Sequence, residues 1–208
     1  MRRSQIVWLS FGAAMTAVTG LLALGDHTAR PGFAATKTTW IEPLPARDPI
    51  FRLDRPLDRL RFGSIIIHDS GEPAGDAESI RRLHVDHGYR MMGFHFLIGN
   101  GNGMGDGVVH VGERWIKQLP GWHTVGPQAA EYNAHAVAIC LVGNGDRRPP
   151  TQRQLAALIS LVRRLQRELK IPASGVRLHR DVAGGLTGSP GRFFPAARLQ
   201  QQLLDPMR

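Results

Sequence analysis

Nine histidines stand in a chain of 208 residues, and two of them close short apolar runs. His68 follows Ser64-Ile-Ile-Ile67, and His179 follows Val176-Arg-Leu178. A continuous β-branched run such as the first predicts a buried strand. Residues just beyond strand ends in an α/β sheet are where ligand sites are built. Two neutral imidazoles brought together there suit a zinc ion, which for hydrolysis needs three protein ligands and an open water position. Taken singly, either histidine reads more readily as a plain polar residue at a strand end, so the chemistry depends on the elements that unite them. Two other sequence features carry less. Cys140 is the only cysteine, which excludes an intrachain disulfide. Its place inside Ala136-Val-Ala-Ile-Cys-Leu-Val142 marks it as a buried small hydrophobe and not a nucleophile or ligand. The run Gly99-Asn-Gly-Asn-Gly-Met-Gly-Asp-Gly107 is not a phosphate loop, because no helix follows it and no Gly-Lys-Ser/Thr is present.

The elements that must position the histidines follow from periodicity and caps. Asp76 predicts the start of a helix whose inward face carries Ile80, Leu83, His84 and His87, closed by Gly88. Phe94 to Ile98 reads as a second strand, and the glycine-rich turn should pair it with Val108-Val-His-Val111 as a hairpin. Ala136 to Val142 reads as the central strand. Thr151 and Gln154 form a capping box that opens a helix with Leu155, Leu158, Ile159, Val162, Leu165 and Leu169 on one face, ended by Pro172. Strands alternating with two amphipathic helices predict a single α/β domain with a central mixed β-sheet flanked by those helices.

Composition bounds the setting. Apolar residues make up 42% of the chain, enough for a core. The net charge is +9, and all but Lys37, Lys117 and Lys170 of the basic residues are arginine. Such a surface suits an anionic membrane, wall polymer or nucleic acid, or is a compositional habit with no ligand behind it. Arg2-Arg3, an uncharged stretch from Ser4 to Gly25 and the small residues of Gly32-Phe-Ala-Ala35 follow the order of a secretory signal. The stretch is also nearly long enough to stay as a membrane anchor. Residues 1–35 are therefore expected to be a signal peptide or N-terminal anchor, 36–60 a proline-rich linker or arm, and 61–205 the folded domain, exported to a periplasmic or wall location.

Read in order, Ile65-Ile-Ile-His-Asp-Ser70, Gly93-Phe-His-Phe-Leu-Ile98, Tyr132-Asn133, Ala136 to Asn144, Pro150-Thr-Gln-Arg-Gln-Leu155, His179-Arg-Asp-Val182 and Ser189-Pro-Gly191 form a distinctive series. That series, from about Arg61 to Pro195, resembles the zinc-dependent N-acetylmuramoyl-L-alanine amidase and peptidoglycan-recognition family. The resemblance implies that His68 and His179 are zinc ligands and that peptidoglycan or muropeptides are the partners, with no nucleic acid and membrane contact only through an uncleaved N-terminal segment. It implies a metal that polarises the amide between the lactyl group of N-acetylmuramic acid and L-alanine and activates water. His123, in Gly121-Trp-His-Thr124, becomes the candidate catalytic histidine near substrate. Thr187 takes the second catalytic position, where lysine stands in some relatives. Trp122, Asn133 and Phe94 are the further substrate-binding candidates, Trp122 as a sugar-stacking surface or a core-filling aromatic. Ser189 falls where the family carries its third metal ligand, a cysteine or an aspartate, and Phe94 replaces a tyrosine. A neutral hydroxyl is a poorer zinc ligand than a thiolate or carboxylate; Asp69 or His84 could complete a rearranged site. Two readings follow: an amidase with a weakened third ligand, or a non-catalytic peptidoglycan-binding module with a degraded zinc site.

Overall fold

The computed structural model describes residues 49–204. The signal or anchor segment and residues 36–48 of the arm lie outside the described residues. The β-branched run around Ile65 becomes β1 (Ser64–Asp69), and the Asp76 cap opens α1 (Ala77–Asp86). The glycine-rich turn joins β2 (Phe96–Ile98) to β3 (Val109–Val111). Two short helices, α2 (Glu113–Ile116) and α3 (Ala129–His135), lead into β4 (Ala136–Leu141). The Thr151 capping box opens α4 (Gln152–Leu169), and β5 (Val176–Leu178) runs directly into α5 (His179–Val182), with α6 (Ala196–Gln200) after it. The strand order is β3-β2-β4-β1-β5. β2, β4, β1 and β5 are mutually parallel and β3 pairs antiparallel with β2, so the sheet is mixed, as the pattern predicts.

Side chains alternate across the sheet, which sorts the core into two layers. Ile65, Ile67, Phe96, Ile98, Val137, Ile139 and Leu141 face α4 and meet Leu155, Leu158, Leu161, Val162, Leu165 and Leu169. The arm's Ile50 is buried in the same cluster, and its carbonyl accepts a hydrogen bond from the Trp115 indole. The opposite face carries Ile66, Leu97, Ala138 and Cys140, packed by Ile80, Met92, Phe94 and Val182. His68 shares this face, and Asp69 the other. Among the described residues no helix is long and apolar enough to cross a membrane.

The caps work as the sequence implies. Asp76 accepts from the Ser79 N–H while the Ser79 hydroxyl accepts from the Asp76 N–H, and Thr151 and Gln154 reciprocate in the same way. The Gln154 amide also donates to the carbonyls of Ile98 and Val142, pinning the α4 N-terminus to the strand ends. Two expectations need correction. Only Ile80 of the predicted inward face of α1 is buried; Leu83 and His87 are exposed and His84 is half-buried, because a ten-residue helix lying on the rim of a sheet needs only a narrow apolar stripe. The second strand begins at Phe96 instead of Phe94, although His95 N–H already donates to the Ala138 carbonyl.

His95 shows how this core treats an imidazole. It is fully buried; its Nδ1 accepts from the Ala138 N–H and its Nε2–H donates to the Leu119 carbonyl. Burial, against a smaller opposing contribution from the Leu119 carbonyl, pushes its pKa down to about 4. A histidine with a depressed folded pKa binds its proton more readily unfolded, so stability is complete above the unfolded value and falls as pH drops from about 6.5 to about 4. The share of His95 alone is about 3 kcal/mol over that range. Imidazole NMR signals of His95 are expected to hold the Nε2–H form down to about pH 4.5; a midpoint near 6.5 would contradict the assignment.

Candidate metal centre

The sheet register brings the two strand-end histidines together. Ile67 pairs with Leu178 across β1 and β5, so His68 and His179 emerge side by side. Their rings lie 4.3 Å apart between centroids. Both are buried at the C-terminal edge of the parallel strands, with Phe94 against His68 at 5.2 Å. His123 reaches them from the loop before α3: its Nδ1 is 3.1 Å from His68 Nε2. His68 and His123 are held well below the usual imidazole range, and His179 at about 4, in each case chiefly by burial. Neighbouring imidazoles deepen the shift of His68 and His123, whereas the Asp69 carboxylate opposes it at His179. At neutral pH these rings are uncharged and keep lone pairs for a cation.

Among the described residues the Nδ1 atoms of His68 and His179 meet no hydrogen-bond partner and are not sealed from solvent. The Nε2 atoms of His123 and His179 are buried and unpaired. Ser189 also arrives at this edge, and its Oγ accepts from the Asp69 N–H at 3.0 Å. The loop that delivers it passes very close to Gly145: a Cβ there would fall 1.8 Å from the Pro190 carbonyl oxygen, so only glycine fits. Two imidazoles and one neutral hydroxyl thus stand at the same strand-end edge. Among the described residues no three His, Cys, Asp or Glu side chains close on one point.

The other sequence candidates fall into distinct places. Trp122 is 57% exposed and its ring lies 5.7 Å from that of Tyr89, so it forms a rim platform and fills no core. Thr187 is half-buried, its hydroxyl accepting from the Ser189 N–H. Cys140 is buried, with its thiol pKa pushed up by that burial. Asp69 turns to the opposite face and accepts from the Gly145 N–H, while His84 Nδ1 accepts from the Gly93 N–H; neither joins the paired imidazoles.

Two of the substrate-binding candidates are engaged within the protein. His123 sits behind His68, one ring nitrogen turned to His68 and Thr124 and the other buried, so no nitrogen of it faces the open side. Asn133 spends its amide within the protein: Oδ1 accepts from the N–H groups of His123 and Thr124, and Nδ2 donates to the Thr124 carbonyl. Sequence reading did not anticipate this clasp or the His68–His123 contact, since both join residues far apart in the chain or on a loop without periodicity.

With that geometry in hand, the comparisons with known proteins are specific. Residues 59–192 match the family model described as N-acetylmuramoyl-L-alanine amidase. An endolysin of Klebsiella phage KP32 is 30% identical over 131 residues, 60% of this chain and 79% of the relative. An N-acetylmuramoyl-L-alanine amidase of Sus scrofa is 28% identical over 111 residues, 48% of this chain; the match spans only 17% of that longer protein. Among solved structures, the amidase LysC from Clostridium intestinale superposes with a TM-score of 0.59 at 26% identity, covering 69% of this chain and 86% of LysC. A mutant of Drosophila PGRP-LB in complex with tracheal cytotoxin gives 0.50 at 26% identity, covering 66% and 82%.

The Asn133 clasp makes a direct prediction. Asn133→Ala removes three hydrogen bonds and strands two buried-loop N–H groups. It is expected to lower unfolding stability by about 2–3 kcal/mol, read by urea denaturation; a change below about 0.5 kcal/mol would show that the loop is held by other means.

Proposed function

The chain belongs to the N-acetylmuramoyl-L-alanine amidase family, and from that premise we propose that it is a peptidoglycan hydrolase cleaving the amide between N-acetylmuramic acid and L-alanine. The observation that carries this reading is the buried pair of imidazoles, His68 and His179, whose rings lie 4.3 Å apart at the strand ends. One nitrogen from each ring would suit a zinc ion, and Ser189 supplies at most a weak third ligand in place of an anionic one. Bound there, the ion would polarise the scissile carbonyl and acidify a water. The protein's own residues do the rest. Phe94 and the strand ends form an apolar floor that excludes bulk water, and burial keeps the imidazoles neutral and able to ligate. Trp122 and Tyr89 offer an aromatic face at the rim for a sugar ring. The same reading places the domain outside the cytoplasm, in keeping with the secretory order of the N-terminal residues.

A second reading has observations of its own. The Ser189 hydroxyl is already engaged by the Asp69 N–H, and Phe94 has no phenol to donate to an oxyanion. Both favour a groove that binds muropeptides without turnover, and PGRP-LB in complex with tracheal cytotoxin is a relative seen with such a ligand.

Zinc content of the purified protein, measured alongside release of stem peptides from peptidoglycan, separates the two. Stoichiometric zinc with turnover that disappears in His179→Ala is expected. Retained sacculus binding with neither metal nor turnover would establish the binding module instead. Ser189→Cys, which restores an ionisable ligand, is expected to tighten zinc binding by at least about tenfold; an unchanged affinity would remove Ser189 from the metal's surroundings.

A further inference from the structure

Several arginines of the domain are spent on nearby acids or carbonyls. Arg81 and Arg82 pair with Glu78, Arg114 donates to the carbonyls of Met92 and Pro120, and Arg180 donates to that of Gly191. The outer side of α4 is different. A groove between the arm and the C-terminal half of α4 is lined by Arg52, Arg55, Arg59, Arg164 and Arg167. A second groove, between α4 and α6, shares Arg167 and adds Arg163 and Arg198. The only carboxylates lining the two are Asp54 and Glu168, and Glu168 is already paired with Arg59 at 3.1 Å. Among the described residues Arg52, Arg55 and Arg167 meet no hydrogen-bonding or ionic partner. Seven arginines against two carboxylates make this face a continuous positive surface, which gains by meeting a negative one.

Two observations select a lipid surface over a soluble polyanion. The turn that carries Arg59 also carries Leu60, which is 97% exposed. A large apolar side chain held in water beside basic ones suits a bilayer interface, where it enters the acyl boundary while the guanidinium groups stay among the headgroups. The arm that supplies Arg52, Arg55 and Arg59 also leads back to the uncharged stretch from Ser4 to Gly25. On the anchor reading of that stretch, the arginine face is tethered to the surface it meets, and the two attachments reinforce each other.

We propose that the arginine face of α4 and the arm binds an anionic phospholipid surface, with Leu60 inserted at its edge. The sheet gives this a consequence for the site. α4 packs on the face that carries Ile65 and Ile67, and His68 lies on the opposite one. A domain resting on lipid by its α4 side turns the paired imidazoles away from the bilayer.

Vesicle co-sedimentation of the full-length protein tests the proposal with neither zinc nor peptidoglycan, so its outcome is separate from that of the hydrolase reading. Binding to vesicles of phosphatidylcholine with phosphatidylglycerol is expected to exceed binding to phosphatidylcholine alone by at least about tenfold at low salt, and to lose most of that excess at high salt. The N-terminal stretch, being uncharged, acts on both vesicle types and largely cancels from the ratio. Arg55→Glu combined with Arg167→Glu is expected to remove most of the excess. Arg147→Glu combined with Arg148→Glu makes the same change of charge on two exposed residues before the other end of α4, and is expected to leave the ratio within about twofold. An equal loss from both pairs would show a response to net charge alone and overturn the assignment of a face. Leu60→Ser is expected to weaken binding to the anionic vesicles and to leave binding to soluble poly(glycerol phosphate) unchanged. Tighter binding to that polymer than to the vesicles, or vesicle binding indifferent to Arg55→Glu with Arg167→Glu, would overturn the lipid surface.

Discussion

The parallel pairing of β1 between β4 and β5 is the constraint on which the rest depends. Its register sets His68 opposite Cys140 and Ile67 opposite Leu178, so that the chain leaving β5 delivers His179 to the ring of His68. Strand alternation makes this all-or-none: a slip by one residue would send His68 toward α4 and Asp69 toward His179. What opposes the slip is that it would push the His68 imidazole into the apolar layer under α4 and take the Asp69 carboxylate from the Gly145 N–H. The core fixes the register, and the register places the histidines.

Around that fixed pair the protein builds a dry, uncharged pocket floor. Phe94 packs on His68, the loop from Gly121 to Thr124 is clasped by Asn133, and His123 closes the space behind. Burial depresses every imidazole in the group, which suits a neutral ligand set and would disfavour a group of cationic histidines at neutral pH. Ser189 enters the same edge through the tight crossing at Gly145 but turns its oxygen to a backbone N–H. On the proposed zinc reading the two imidazoles would be the strong donors, and the third position is where catalysis and mere binding part company.

Much of this was legible in the sequence. The Ile65–Ile67 run, the Asp76 cap, the Thr151 capping box, the glycine-rich hairpin and the two strand-end histidines all carry local signals, and each stands where those signals put it. Leu83 and His87 were misplaced because periodicity reports which residues could share a face and not how much of that face a small sheet can cover. Asn133 and His123 were expected near substrate from the family resemblance. That Asn133 clasps a loop, and that His123 backs His68, depends on contacts spanning 9 to 55 positions in the chain, which no local pattern encodes. Trp122 could have been core or rim; only its exposure decides.

The central claim is that two imidazoles, His68 and His179, carry the metal while His123 stands behind them. X-ray absorption at the zinc edge of the zinc-loaded protein tests it directly. The expected spectrum has a nitrogen/oxygen first shell at about 2.0–2.1 Å, outer-shell scattering from two imidazoles, and no sulfur. Scattering from three imidazoles would make His123 a ligand, and a shell of water oxygens alone would show that the paired histidines hold no metal; either result would contradict the account.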